Sequence, residues 1–173
     1  MLIHNYGLFW RRQFVHWGYP GNLGHLKGVR AVSEEPVDFR FQQGVYCLYD
    51  ESFSLVYVGQ AGGGRSQRLF DRLKQHRDDS LAERWSKFSW FGVREISEDG
   101  GELSSEMEEA SIPINLILNH IEAILIAAAE PVQNLQRGRF GKEVVHYRQY
   151  RDLENIYPES EKMIQDIWSS LPE

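Results

Sequence analysis

The chain has a single cysteine, Cys47, in 173 residues. That excludes an intramolecular disulfide and any cysteine-rich zinc motif, and it fits a reducing cytoplasm as the expected location. Cys47 lies in a strand-like run and reads as a small core residue rather than a nucleophile. No stretch is apolar for long enough to span a membrane, so no membrane partner is expected. The opening MLIHNYGLFWRR lacks the pattern of a signal peptide. No Lys-Ser/Thr pair follows the triple glycine Gly62–Gly64, which excludes a nucleotide-binding P-loop. His4, His16 and His25 are spaced too irregularly for a metal site that has no cysteine or nearby carboxylate. Lys and Arg are absent between Glu95 and Glu130, and internal repeats and low-complexity tracts are absent throughout. The formal charge of −6 argues against nucleic-acid binding through overall charge while leaving room for a local basic surface.

What is present is ordinary globular composition at a length that suits one domain with a real core. The most organised stretch is GVYCLYDESFSLVYVG, Gly44 to Gly59. It reads as two short strands, Gly44–Asp50 and Ser54–Gln60, joined by a polar turn around Glu51 and Ser52. With an even-numbered turn, Tyr46 and Tyr57 can stand directly opposite one another on one face. A Gly-rich basic connection, AGGGRSQR, leads to a helix over Ser66–Arg77. Leu69 and Leu73 mark its buried stripe, and Arg68, Arg72 and His76 share a face beside it at four-residue steps. Trp85–Glu95 reads as a third strand, with Phe88 and Trp90 on one face and Lys87, Ser89 and Phe91 on the other. An acidic loop and short helix over Glu98–Ala110 follow, read as a solvated face. Leu116–Ala129 is expected to be a core helix ended by Pro131, and Glu122 stands inside it among apolar neighbours. A carboxylate there is costly unless paired, hydrogen-bonded or metal-bound; an exposed stripe or an ion pair to the first helix would also account for it. Beyond it, Leu135–Arg151 is cationic through Arg137, Arg139, Lys142, Arg148 and Arg151, a surface that could contact phosphates. Leu153–Leu171 reads as a final amphipathic helix. The aromatic and basic run Tyr6–Tyr19 fits neither a helical nor a strand period; docking of a terminal arm accounts for it better than stacking on nucleic acid.

In this order, Gly44-Val45-Tyr46, Tyr57-Val58-Gly59, Arg72 and His76 on the next helix, Glu122 on a later helix and Asn134 beyond it, the chain resembles the GIY-YIG nuclease superfamily. Val replaces Ile in both tripeptides. The resemblance covers about Gly44 to Asn134. It implies an α+β fold in which a small three-stranded antiparallel sheet is flanked by helices. The activity it implies is cleavage of DNA phosphodiester bonds with one divalent cation, Mg²⁺ or Mn²⁺. On that basis Glu122 would hold the metal, a hard oxygen ligand suited to such a cation. Arg72 would contact the scissile phosphate with a permanently charged fork. Tyr46, with Tyr57 in support, would act as general base or orient the water; a phenol needs a cationic neighbour for that role, and Arg72 and His76 are the candidates. His76 would relay the proton or assist as base, Asn134 would position a phosphate or the glutamate, and Gly44 and Gly59 would allow close packing of the hairpin.

The expected organisation is an N-terminal arm over 1–43, a nuclease core over 44–134, and a basic segment with a C-terminal helix over 135–173 belonging to the same domain. Arg68, Lys74, Arg137, Arg139 and Lys142 are the expected DNA contacts. Specificity would come from the arm, the basic segment, a second copy of the chain or a partner protein. The alternative reading is a module on the same fold that binds nucleic acid or protein without cutting.

Overall fold

The structure, a computed structural model, describes residues 2–30, 33–62, 68–97, 103, 114–129, 140 and 143–151; the side chains of 33–34, 114–119, 122 and 126 are outside that description. Among the described residues, seven strands form one mixed sheet: β1 (Asn5–Arg11), β2 (Lys27–Arg30), β3 (Ser33–Asp38), β4 (Gly44–Tyr49), β5 (Leu55–Ala61), β6 (Lys87–Gly92) and β7 (Val145–Gln149). They lie in the order β3-β2-β7-β1-β6-β4-β5. Only the β1–β7 pair is parallel; the other neighbours run antiparallel. Two α-helices occur among the described residues, α1 (Leu69–Gln75) and α2 (Ile114–Ala129). Neither is long and apolar enough to cross a membrane.

This architecture corrects the expectation of a small three-stranded sheet flanked by helices. The β4–β5 hairpin and β6 are present close to their expected positions, but four further strands extend the sheet. Their sequence signals are weak for identifiable reasons. In β1 the register shifts between Gly7 and Trp10, and Phe9 adopts a positive φ of 51°. This bulge moves Trp10 to the opposite face from Tyr6 and Leu8, which destroys the period-two pattern along the strand. Pro36 interrupts β3, and the sheet tolerates it because β3 is an edge strand. In β7 the buried Tyr147 alternates with exposed His146 and Arg148, so the strand looks like basic tail in the sequence. The acidic stretch 98–110 lies outside the described residues apart from Leu103, which forms a bridge with Ile96. The expected C-terminal helix at 153–171 lies outside them entirely.

The sheet separates two apolar layers. On one face Tyr46, Leu48, Phe88, Trp90, Trp10, Phe39 and Tyr147 pack with Leu69, Phe70 and Leu73 of α1. On the other, Cys47, Tyr49, Phe91 and Ile3 pack with Ala123 and Ala128 of α2 and with Phe140. The alternation of β4 dictates this division, since successive side chains leave the strand on opposite faces. Two hydrogen bonds tie α2 to its layer: Tyr49 Oη donates to the Ala128 carbonyl at 2.7 Å, and the Ile3 amide donates to His120 Nδ1 at 3.0 Å.

The two glycines of the tripeptides have separate steric reasons. Gly44 has φ +146°, and a Cβ there would collide with the Phe91 carbonyl of the neighbouring strand. At Gly59 a Cβ would occupy the space of the Tyr46 ring. Gly44→Ala is therefore expected to destabilise the fold by more than about 1 kcal/mol, read as a lower denaturation midpoint in urea. Burial pushes the Cys47 thiol up to about 11, with a hydrogen bond involving Tyr49 acting weakly in the other direction. The folded state thus holds this proton more tightly than the unfolded chain. Its stabilising contribution is complete below 9.0 and is lost as the pH rises towards about 11. Native protein should leave Cys47 unreacted with a thiol reagent at pH 8 while denatured protein reacts at once.

Candidate functional site

The β4–β5 hairpin and α1 build the site on the α1 face of the sheet. Tyr46 stands opposite Gly59, and Tyr57 stands opposite Leu48. Direct opposition of the two tyrosines does not occur: the register differs from it by two residues, which preserves the shared face but makes the pair diagonal. Their ring centroids are 6.1 Å apart, and the missing side chain at Gly59 gives the Tyr46 ring its place.

α1 delivers Arg72 and His76 to this pair. The helix is short and runs to Gln75, with His76 as its C-cap, and it is anchored by Leu69, Phe70 and Leu73 in the core. His76 is buried; its Nε2 lies 2.8 Å from Tyr46 Oη and its Nδ1 lies 2.6 Å from Asp79 Oδ2. An ionised carboxylate only accepts, so Nδ1 carries the proton, and in the neutral imidazole Nε2 accepts the Tyr46 hydroxyl proton. The result is a continuous chain from Tyr46 through His76 to Asp79. The turn after α1 holds it in place, because Asp79 Oδ1 accepts the Leu81 amide at 2.8 Å and the His76 carbonyl accepts Trp85 Nε1 at 3.0 Å. The Tyr57 ring packs against the imidazole with centroids 4.9 Å apart.

Electrostatics sets the resting state of this chain. Burial raises the Tyr46 pKa; a hydrogen bond and the charge of Arg72 oppose it, and Tyr57 adds to the rise. Burial wins, so Tyr46 rests as a phenol, and Arg72 does not hold it as phenolate. The Arg72 pKa moves upward, first through its bond to Tyr46. Arg72 Nη1 also donates to Gln75 Oε1 at 2.8 Å, which fixes the direction of the guanidinium. At Asp79 burial pushes upward, but the Leu81 amide, the His76 hydrogen bond and the charges of His76 and Arg72 bring the pKa below its ordinary value. Tyr46 has no exposed surface, whereas Tyr57 and Arg72 are partly exposed. The solvent-facing part of the site is thus Tyr57 with Arg72, and Tyr46, His76 and Asp79 stand behind it.

Four expected site residues, Tyr46, Tyr57, Arg72 and His76, come together here. Arg68 caps the N-terminal end of α1 and is partly buried, and Lys74 is exposed with its ammonium 5.9 Å from the centroid of the Phe70 ring. Glu122 lies on α2, the helix packed on the opposite face of the sheet from Tyr46; its side chain is outside the described residues. Asn134, Arg137, Arg139 and Lys142 are also outside them. No group of three or more His, Cys, Asp or Glu side chains suited to a metal occurs among the described residues, and the Asp79 oxygens are engaged by His76 and Leu81. The described side chains do not by themselves fit a metal centre.

Asp79 is the one member of the chain that sequence motifs do not single out. Its signal is the three-residue step from His76, a spacing that brings side chains together around one helical turn. Asp79→Asn removes the charged acceptor from Nδ1–H. The imidazole proton and nitrogen resonances of His76 should shift in NMR spectra, while Asp78→Asn, one residue away, should leave them in place. Because the folded-state pKa of Asp79 is depressed, its stabilising effect is present at neutral pH and is lost as the pH falls below its unfolded value. Comparison with family models, curated proteins and solved structures gives no match to this chain.

Proposed function

We propose that the protein hydrolyses phosphodiester bonds in DNA at the Tyr57–Arg72 face, with Tyr46, His76 and Asp79 as its proton path. The observation that carries the reading is the Tyr46–His76–Asp79 chain, with Tyr46 and His76 buried, lying directly beside Arg72 and Tyr57. It adds chemical sense to the likeness of Gly44–Gly59, Arg72 and His76 to the GIY-YIG nucleases.

Hydrolysis requires a nucleophilic water, a place for its proton and charge stabilisation at phosphorus. Arg72 offers a permanent, forked donor to the scissile phosphate from a partly exposed position. Water attacks phosphorus as the bond to the 3′ oxygen breaks. One water proton passes to the Tyr57 hydroxyl, which gives its own proton to Tyr46. Tyr46 in turn releases its proton to His76 Nε2, and Asp79 stabilises the imidazolium. The leaving oxygen is protonated from solvent, and the imidazolium later returns its proton to water. The full burial of Tyr46 favours Tyr57 as the group touching the water and Tyr46 as the relay behind it. The likeness further implies one Mg²⁺ or Mn²⁺ ion with Glu122 as its ligand; because α2 packs on the sheet face opposite Tyr46, no step above is routed through that ion, and the assay below tests it directly.

A second reading, binding of nucleic acid without cleavage, is favoured by the packing of α2 on the sheet face opposite Tyr46. A supercoiled-plasmid assay with Mg²⁺ or Mn²⁺ separates the two. Wild type is expected to nick or linearise the plasmid, with chelator abolishing the reaction. Arg72→Ala and Tyr57→Phe should each lower the rate by about 10²-fold or more. Glu122→Ala should abolish cleavage if it holds the metal; equal cleavage by wild type and this variant removes Glu122 from the site. No cleavage of any DNA form by wild type decides for the second reading.

A further inference from the structure

A cavity of about 470 Å³ lies outside the tyrosine site, where the loop after β1 meets the turn after α1. Its size falls within the roughly 300–1,000 Å³ range of small-ligand sites. Arg11, Arg12, Arg77, Trp17, Tyr19 and Trp85 supply its chemistry. The other two charged lining residues cancel, because Lys87 Nζ lies 2.8 Å from Glu51 Oε2. Three guanidiniums therefore share the cavity with a single lining carboxylate, Glu51, which is bonded to Lys87 and lies within electrostatic reach of Arg11.

These three arginines are not equivalent. Arg12 is a fixed structural cation: it donates to the carbonyls of Ala82 and Trp85 and lies 4.9 Å from the centroid of the Trp85 ring. Burial and then the charge of Arg77 lower its pKa, with Glu83 and Asp78 acting weakly in the opposite direction. Like charges are thus held together in a partly desolvated place, an arrangement that an anion would relieve. Arg11 and Arg77 donate no side-chain hydrogen bond to the protein among the described residues; their guanidiniums lie over the rings of Phe14 at 5.9 Å and Trp17 at 4.9 Å, with the Glu51 carboxylate within electrostatic reach of Arg11. Among the described residues, their donors are left for a ligand. Tyr19 is 58% exposed and offers an open aromatic ring beside them.

Phosphate-binding cations around an exposed ring match the two chemical elements of an unstacked nucleotide. Base pairs inside a duplex do not offer a ring face, so the arrangement selects a single strand. The cavity also joins the tyrosine site through the chain: Arg77 follows His76 directly, and Trp85 donates to the His76 carbonyl at 3.0 Å. We infer that this cavity binds an unpaired nucleotide of the DNA strand, with Arg11 and Arg77 on its phosphates and Tyr19 stacked on its base. The inference rests on the nuclease reading for the identity of the strand as substrate, but its binding step does not require cleavage.

The test is fluorescence anisotropy in EDTA with a labelled single-stranded oligothymidylate, a duplex of equal length and free thymidine monophosphate. Arg11→Gln with Arg77→Gln should weaken single-strand binding by at least about tenfold and reduce the salt slope by about 0.7 for each phosphate that is no longer neutralised. Tyr19→Ala, at an exposed position, should cost at least about fivefold. Duplex affinity should change little, and the mononucleotide should compete only weakly because it offers one phosphate. Circular dichroism melts establish that each variant is folded. Unchanged single-strand affinity and salt slope in folded variants overturn the inference, as does an equal loss on duplex. Tight binding of the mononucleotide overturns the strand as occupant. If single-strand binding depends on Arg11 and Arg77 but wild type cuts no plasmid, the cavity stands and the nuclease reading falls. Cleavage that depends on Arg72, together with binding indifferent to Arg11 and Arg77, gives the reverse result.

Discussion

The position of β1 between β6 and β7 is the constraint on which the structure depends. A hairpin plus β6 would leave the far edge of β6 unpaired, with its amides and carbonyls open. β1 covers that edge over Asn5–Gly7 and Trp10–Arg11, and its other edge receives β7. The bulge at Phe9 then lets one strand serve both layers. Tyr6 and Leu8 enter the α2 layer, while Trp10 enters the α1 layer, where its indole donates to the Tyr147 carbonyl at 3.2 Å. Trp10 meets Phe39, Phe88 and Trp90 edge to face, so the N-terminal strand, β6 and the residue after β3 share one aromatic core.

That core gives the tyrosine site a rigid back wall. Tyr46 is buried to the point that its hydroxyl can satisfy itself only within the protein, and His76 meets it at hydrogen-bond distance. A buried imidazole acceptor is costly if left without its donor, so the pair enforces its own geometry. Asp79 then fixes the tautomer from the solvent side, since a carboxylate on Nδ1 leaves Nε2 to accept. Arg72 adds a positive charge near both hydroxyls without overcoming the burial of Tyr46. Tyr46 thus stays a phenol, and the permanent charge of Arg72 lies at the partly exposed edge of the site.

Much of the local structure was legible in the sequence. The β4–β5 hairpin, β6 and the two helices announced themselves through β-branched and aromatic runs, the Leu69/Leu73 step and the apolar stretch before Pro131. The grouping of Tyr46, Tyr57, Arg72 and His76 was legible because these residues sit on adjacent elements close in the chain. Asp79 was within reach of the same reasoning but lay just past the helix, in a turn whose course local periodicity does not specify. The four added strands were illegible for a different reason. Each carries a bulge, a proline or charged residues that hide the strand period, and their pairing partners lie up to 140 positions away, as with Asn5 and Val145.

The sequence by itself determined the short-range chemistry: which residues alternate on β4 and which side chains α1 presents together. Tertiary structure alone decided that the N-terminal segment would be a central strand, that Tyr46 would be buried while Tyr57 faces outward, and that α2 would take the opposite side of the sheet. It also brought Arg11, Arg12 and Arg77 around one cavity from two separate parts of the chain. The division follows from the forces involved. Periodicity and backbone sterics act over a few residues and are written locally. Burial, and with it the balance of charge and proton affinity at the site, depends on which distant surfaces meet.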